Sequence, residues 1–184
     1  MQIYIALLRG INVSGQKLIR MIELKALFES LNFKNVSTYI QSGNIIFSKS
    51  NSDPQTLETE ISQQIAIKFG FDVPVTVKTM SEWRIIQQGN PYLNIPSVDQ
   101  KYLHLTLLSE TPEPINIQKI KELNFEPDQF KLINSNIYLF CPGGYGNTKL
   151  SNNFFESKLK VKATTRNWNT VNQLLEMSEK TTES

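Results

Sequence analysis

The chain has 184 residues, a hydrophobic fraction of 40% and a formal net charge of +2, so it can bury one sizeable core or two small ones and lacks the strong basic charge that dominates most nucleic-acid-binding domains. Its single cysteine, Cys141, excludes an intramolecular disulfide, and no apolar run approaches the roughly 20 residues of a membrane-spanning helix. We therefore expect a cytoplasmic protein that does not enter a membrane.

Hydrophobic periodicity in the first half of the chain predicts the order strand, helix, strand, strand, helix, strand. The predicted elements are a strand at 2–8, a helix at 24–31, a hairpin at 36–48, a helix at 53–70 and a strand at 73–79. In the hairpin, Ser42 and Gly43 are expected to form a two-residue turn, because glycine supplies a positive φ. Asp53 is a good N-cap for the second helix, and Gly70 is a good residue to end it.

The second half of the chain repeats this order, with a strand at 102–108, a helix at 115–123 and a hairpin at 130–140. The hairpin letters SGNIIF from Ser42 resemble NSNIYLF from Asn134, and each half later places a tryptophan early in a helix. We therefore predict an α+β fold of two ferredoxin-like halves, each a split β-α-β unit with an antiparallel sheet, that arose by tandem duplication. Chance similarity between two hairpins is the alternative explanation.

The domain organisation follows from this repeat. We predict a first ferredoxin-like half at 1–80, a helix and linker at 81–101, a second half at 102–178 and a disordered tail at 179–184. The tail is assigned because the final residues are polar and lack hydrophobic periodicity.

Four short segments differ in composition from the rest of the chain. They are LLRGINVSG from Leu7, YIQSGN from Tyr39, CPGGYGNTKL from Cys141 and TTRNWNT from Thr164. Each is rich in Gly, Asn, Ser or Arg and adjoins an apolar run, which is typical of shaped loops held on a rigid sheet. These segments are therefore the candidate site.

The predicted topology pairs the four segments. In a split β-α-β unit the first and second strands are parallel, so residues 9–15 should lie beside residues 41–44 at one sheet edge. In the second half, the loop that leaves the third strand, residues 141–149, should share a sheet edge with the end of the fourth strand, near residues 164–167. If the two clusters meet, they form one cationic cleft between the halves.

The same segments resemble a known family. The match runs through ALLRGINVSG at Ala6, TYIQSGNIIF at Thr38, GYGNTKLSNNFFESKL at Gly144 and TTRNWNT at Thr164, and it leaves out residues 48–134. On these letters the chain resembles the bacterial domain-of-unknown-function family 1697, although Ser14 stands where that family usually has a second glycine. The resemblance implies an α+β cytoplasmic protein without an assigned activity or cofactor.

The candidate ligand-binding residues combine cations with loop amides, a hydroxyl and one aromatic ring. They are Arg9, Asn12, Lys17, Gln41, Ser42, Asn44, Tyr145, Lys149, Arg166 and Asn167. An arginine fork suits carboxylate or phosphate, and a tyrosine between glycines can stack on a base or sugar. The alternatives are structural: each arginine ties down its own loop or pairs with Glu23 or Glu156, and Asn167 caps the final helix.

No catalytic residue and no metal site is predicted, and no cofactor. His104 is the only histidine, so no second histidine exists to complete a metal site or a Cys/His dyad. Cys141 has no histidine in a matching segment, and paired carboxylates are missing from the four segments. Whether the protein is an enzyme is therefore left open.

Three functions fit these residues. The favoured one is binding of a phosphate-bearing or otherwise anionic small ligand at the cationic cleft between the halves. The second is a structural or protein-interaction module with no small-molecule site, in which the loops only lock the fold. The third is binding of single-stranded nucleic acid on the sheet, for which Tyr4 and Tyr39 are the nearest aromatic candidates. The oligomeric state is not predicted.

Overall fold

The structure is a computed structural model that describes residues 1–182. These residues form two compact units, which are Met1–Ile85 together with the segment that begins at Gln173, and Ile86–Asn172. They are called the first and the second unit below. The domain boundaries drawn from the sequence stay a prediction.

The helices and strands are numbered in chain order. They are β1 (Gln2–Leu8), α1 (Met21–Ser30), β2 (Lys34–Tyr39), β3 (Asn44–Lys49), α2 (Pro54–Phe69), β4 (Val75–Thr79), α3 (Met80–Gln88), β5 (Leu103–Leu108), α4 (Pro114–Lys121), β6 (Gln129–Ile133), β7 (Asn136–Phe140), α5 (Asn152–Leu159), β8 (Ala163–Asn167) and α6 (Trp168–Thr182). Short 3₁₀ turns at Pro91–Asn94, Gln100–Tyr102 and Tyr145–Asn147 interrupt the loops.

Both sheets have four antiparallel strands and the same order of connections. The first is ordered β2-β3-β1-β4 and the second β6-β7-β5-β8. In each sheet the first strand of the unit lies inside, hydrogen-bonded to strands on both sides. The predicted α+β class with two antiparallel sheets and associated helices is confirmed.

Alternation along β1 places one set of side chains toward the helices of the first unit. Tyr4 and Leu8 of β1 pack with Phe28 of α1, with Phe33 and with Phe47 of β3 in one buried cluster. The rings of Phe33 and Phe47 stack with their centroids 4.5 Å apart. Burial of such aromatic side chains is a major source of stability in a unit of this size.

Tyr4 is fully buried in this cluster, and its hydroxyl is satisfied locally. It donates to the carbonyl of Ser52 and accepts from the N–H of Ser52, both at 2.8 Å. The ring that was the first aromatic candidate for stacking on a nucleic-acid base is therefore part of the core.

The predicted helix caps are confirmed by hydrogen bonds. Asp53 accepts from the N–H of Thr56 at 2.9 Å, and Gly70 ends α2 with a φ of 81°. Asn167 accepts from the N–H of Thr170 at 2.8 Å at the start of α6. These bonds satisfy backbone groups that a helix leaves without an internal partner.

The first hairpin turn is longer than expected. Tyr39 pairs with Asn44, so the turn has four residues instead of the two expected at Ser42 and Gly43. The amide of Asn44 closes this turn, because it donates to the Tyr39 carbonyl at 3.0 Å and to Ser42 Oγ at 2.9 Å. Ile40 has a φ of 49°, which a β-branched residue rarely adopts. The backbone preference of Ile40 therefore does not predict a four-residue turn.

The C-terminal helix is also longer than expected. The sequence predicts a disordered tail at 179–184, but α6 continues to Thr182, and residues 183 and 184 lie outside the described residues. Glu179 forms an ion pair with Arg84 at 3.0 Å, and Lys180 pairs with Glu176 one helical turn earlier. An i,i+4 ion pair such as the one between Lys180 and Glu176 stabilises a helix that has no apolar periodicity. The hydrophobic pattern therefore did not predict the last turn of α6.

None of the helices within residues 1–182 is both long enough and apolar enough to cross a membrane.

We predict that Gly43→Ala lowers the free energy of unfolding by about 2–4 kcal/mol. Gly43 has a φ of 76°, and an added Cβ would lie 2.6 Å from Leu8 Cβ. Gly10 is the matched control, because its φ is 72° but nothing lies within 4 Å of an added Cβ. Gly10→Ala should therefore cost only about 1 kcal/mol. Urea denaturation measures both values, and equal losses would contradict the role given to the close contact.

Candidate functional site

The loop after β1 has an unusual run of left-handed backbone. Gly10, Asn12, Ser14, Gly15 and Lys17 have φ values of 72°, 56°, 51°, 74° and 46°. Residues other than glycine pay a conformational cost there, and they hold it only where surrounding contacts fix the chain. Ser14, which stands at the position of a second glycine in the resemblance above, adopts the conformation that favours glycine.

Asn12 is the residue that fixes this loop. Its Nδ2 donates to the carbonyls of Ile19 and Gln41, both at 2.9 Å, and its Oδ1 accepts from the N–H of Ile19 at 2.8 Å. Its own N–H donates to the Lys17 carbonyl at 3.2 Å. One side chain thereby joins the two ends of the loop to the turn between β2 and β3.

The expected adjacency of residues 9–15 and 41–44 is thus observed. The N–H of Leu8 donates to the Gly43 carbonyl at 2.7 Å, and Gly43 leaves no room for a side chain against Leu8 and Ile11. At the sheet edge where β1 and β2 end, the backbones of Leu8 and Gly43 are therefore in direct contact.

Several predicted ligand residues of the first unit have structural partners. Asn44 is fully buried and closes the hairpin turn through Ser42, and Lys17 Nζ donates to the carbonyl of Asp72. Arg9 is half-buried at the end of β1, where its N–H donates to the Pro74 carbonyl at 3.0 Å. The structural alternative therefore describes Lys17, Ser42 and Asn44 well.

A pocket of about 330 Å³ opens beside this loop. It is lined by Asn12, Leu18, Ile19, Arg20, Met21 and Gln41. Two of the predicted ligand residues, Asn12 and Gln41, therefore share one concave surface with a cation and apolar side chains. Ligand pockets commonly combine an apolar lining with a few placed polar groups.

Arg20 gives this pocket its positive charge. It precedes the first residue of α1 in extended backbone conformation, and no side chain within residues 1–182 caps the N–H groups of that helix. Its guanidinium pairs with Glu23 at 3.8 Å, and the Arg20 side chain is 78% exposed. An exposed pair of this length contributes little, so the guanidinium is available to an anion.

Arg20 was not among the residues singled out from the sequence. It lies outside the Gly- and Asn-rich segments, and the helix predicted there began at residue 24, so the sequence did not place Arg20 at a helix N-terminus. A helix N-terminus carries positive partial charge, so a cation there adds to an existing attraction for anions.

In the second unit, the loop after β7 presents Tyr145. Its ring stacks on His104 of β5 with the centroids 4.7 Å apart and the planes 23° apart. Tyr145 is half-buried and also packs against the apolar core of this unit. The loop after β7 thus returns to the end of β8, since His104 pairs with Asn167 in the sheet.

A separate chain of hydrogen-bonded side chains begins at Thr106, two residues after His104 on β5. Thr106 and Thr165 share a hydrogen bond of 2.6 Å between their hydroxyls, and Thr165 donates to Asn152 Oδ1 at 2.7 Å. Asn152 is the first residue of α5, whose N-cap is Ser151. These bonds fix the start of α5 on the sheet.

The remaining predicted residues of the second unit differ in their surroundings. Arg166 lies on β8, donates to the Thr165 carbonyl at 2.9 Å, and has its pKa lowered to about 10 by desolvation. Lys149 is exposed, and Asn167 caps α6. The structural alternative describes Asn167.

His104 and Cys141 are both buried away from solvent. Burial lowers the pKa of His104, and its Nδ1 has no hydrogen-bond partner among the described residues. Burial raises the pKa of the Cys141 thiol to about 11, which disfavours the reactive thiolate. In the described part of the chain, no group of three or more His, Cys, Asp and Glu side chains is placed to hold a metal ion.

Comparisons with known proteins agree with the fold. A family model described as protein of unknown function, DUF1697, matches residues 1–138. Among solved structures, the chain is similar to the conserved bacterial protein SP0830 from Streptococcus pneumoniae, with a TM-score of 0.74, 22% identity, and coverage of 96% of this chain and 98% of that chain. At this identity the likeness shows the fold alone. A comparison with curated proteins gives no match.

We predict that Asn12→Gly lowers the free energy of unfolding by about 2–3 kcal/mol. Glycine keeps the positive φ, but the side-chain bonds to Ile19 and Gln41 are lost, and each is worth about 1 kcal/mol. The matched control is Ser14→Gly, which also sits at positive φ and should change stability by less than about 0.5 kcal/mol. Equal effects of the two substitutions in urea denaturation would contradict the role of Asn12.

We also predict an acid-side loss of stability from His104. Its pKa is lowered in the folded state, so the unfolded chain takes up a proton first as the pH falls through about 6.5. The free energy of unfolding should therefore decrease from pH 7 to pH 5.5, by at most about 1.4 kcal/mol per pH unit. The contribution is fully present above that window.

The control for this prediction is His104→Gln, compared with the wild type at both pH values. His104 is the only histidine in the chain. Burial also raises the pKa of Glu58, which acts in the opposite direction but is common to both proteins and cancels in the comparison. A wild-type pH dependence that matches that of the variant would contradict the assignment.

Proposed function

The chain belongs to the family of proteins of unknown function DUF1697, and we propose that it binds a phosphate-bearing or otherwise anionic small molecule in the pocket of the first unit. The observation that carries the proposal is the position of Arg20. Arg20 lines the pocket immediately before the uncapped N-terminus of α1, and its side chain is largely exposed. A charged side chain and a helix N-terminus at one concave surface both favour an anion.

The rest of the lining suits the uncharged part of such a ligand. Leu18 and Met21 supply apolar surface, and Gln41 supplies an exposed amide that can donate and accept hydrogen bonds. Asn12 binds the loop rather than the ligand, because its amide is already bonded to Ile19 and Gln41. A positioned loop of this kind lowers the ordering cost of binding.

A second candidate function is protein interaction at the same surface. Val13, Leu18, Ile22 and Ile40, which lie on the loop, on α1 and on the hairpin turn, expose 58%, 67%, 69% and 50% of their area. Clustered exposed apolar side chains are typical of surfaces that another protein covers. This observation favours the protein-interaction module over nucleic-acid binding, for which Tyr4 is unavailable because it is buried.

We further propose that the two halves are ferredoxin-like copies produced by duplication and that the protein is cytoplasmic. The shared strand order of the two sheets supports duplication. The positions of two asparagines also support it. Asn44 begins β3 opposite Leu7, and Asn136 begins β7 opposite Leu107. A single buried cysteine, Cys141, is consistent with a reducing compartment.

We predict that Arg20→Gln weakens binding of the anion by about ten- to a hundredfold, because a hydrogen bond to a charged group contributes about 1.5–3 kcal/mol. The panel is inorganic phosphate, nucleotides, sugar phosphates and a short RNA, each titrated calorimetrically at low salt. Lys25→Gln is the matched control, since it removes the same charge from an exposed position of α1.

The control variant should bind like the wild type. Binding by none of the anions, or equal binding by the two variants, would contradict an anion site at Arg20. Binding of RNA alone with a steep salt dependence would instead support the nucleic-acid alternative.

A further inference from the structure

The edge strands of the two sheets are not equally protected. In both units, a glutamate covers one edge: Glu58 accepts from the N–H of Val77 on β4 at 2.8 Å, and Glu156 accepts from the N–H of Ala163 on β8 at 2.9 Å. The β2 edge has a register shift between Lys34 and Ser37, and such irregularities deter pairing. The fourth edge, β6, has neither device among the described residues.

β6 pairs with β7 in a continuous register from Gln129 to Ile133. Directly after β7, the N–H of Cys141 donates to the Tyr102 carbonyl, and directly before β7, the Ser135 carbonyl accepts from the N–H of Leu108, both at 2.9 Å. Odd-numbered residues of this segment therefore bond toward β5, and even-numbered residues bond toward β6.

The orientation of the β6 backbone follows from this pattern. The residues of β6 opposite the even-numbered ones are Gln129, Lys131 and Ile133, so their backbone groups bond to β7. The N–H and C=O groups of Phe130 and Leu132 consequently point away from the sheet. No acceptor for either N–H is found within residues 1–182.

A groove runs along this open edge. It has a volume of about 350 Å³ and is lined by Lys121 from the last turn of α4 and by Phe130, Lys131, Leu132 and Ile133 of β6. Its lining combines three apolar residues with two lysines and contains no acidic residue. Neither lysine forms an ion pair within the described part of the chain.

We propose that β6 is a docking edge for an extended peptide segment of a partner protein in which apolar and acidic residues alternate. The outward N–H and C=O groups belong to Phe130 and Leu132, which are two residues apart. This spacing matches the two-residue repeat of another extended strand, and a compact ligand has no such repeat. Phe130 and Leu132 pack against the core of the second unit, so Lys131 between them lies on the other face of the sheet. Apolar side chains of the segment pack beside Leu132 on the first of these faces, and its carboxylates lie on the second face, beside Lys131.

A second copy of this chain fits the edge poorly. Antiparallel pairing of two β6 strands through the groups of Phe130 and Leu132 would set Lys131 directly opposite Lys131 of the other copy. Like charges directly opposite each other in a sheet are destabilising. The charge of the groove therefore selects an acidic segment over a copy of the same strand.

The test uses a capped six-residue peptide that alternates valine and glutamate, with a valine and lysine peptide as the charge control. Amide hydrogen exchange of Phe130 and Leu132 is followed by NMR during titration of the full-length chain. The glutamate peptide should bind and slow exchange at both amides by at least about tenfold. The lysine peptide should do neither.

Leu132→Pro removes an outward N–H without removing a ladder bond, and Leu132→Ala is its matched control because it shortens the side chain and keeps the N–H. We expect the proline variant to lose at least tenfold in affinity relative to the alanine variant. If the proline variant does not fold by circular dichroism, the variant Lys131→Glu decides. It should prefer the lysine peptide.

Three results would overturn the proposal. One is the absence of binding of the glutamate peptide up to millimolar concentration. Another is unchanged affinity in the deciding variant. The third is protection of Phe130 and Leu132 that grows with protein concentration when no peptide is present, which would name a second copy as the occupant.

Discussion

The amide side chain of Asn12 is the interaction on which the candidate site depends. It joins the beginning and end of the loop after β1, through Ile19, to the carbonyl of Gln41 on the neighbouring turn. The left-handed residues of the loop store backbone strain that these bonds maintain. The side-chain bonds of Asn12 therefore help to hold Ile19 and Gln41, two residues of the pocket lining, next to each other.

The sheets explain why such a loop can be held so firmly. β1 is bonded on both sides, and its side chains are buried, so the position at which it ends is fixed. The contact between Leu8 and Gly43 then brings the turn against that end without an intervening side chain. In the second unit, the stack of Tyr145 on His104 lies at the other end of the sheet, where β5 begins and β7 and β8 end. The same strand order thus supports loops of different chemistry.

Much of the fold could be predicted because the signals were local. The apolar run from Gln2 to Leu8 matches β1 residue for residue, and the caps at Asp53 and Asn167 follow from their hydrogen-bonding groups. The four-residue turn was missed because Ile40 adopts a conformation that its branched side chain disfavours. Arg20 was missed because its importance comes from the pocket and the helix beside it, which are features of tertiary structure. The partners of Lys17 and Tyr145 are likewise distant in sequence.

The most direct measurement of the central claim is NMR chemical-shift mapping of the labelled protein during titration with the anion panel. If the pocket of the first unit is the site, the largest shifts will fall on the backbone amides of Met21 and Ile22, on the side-chain Nε–H of Arg20 and on the amide of Gln41. Their saturation should follow one common dissociation constant. Shifts of equal size spread over exposed lysines, or no shifts at millimolar anion, would contradict the account.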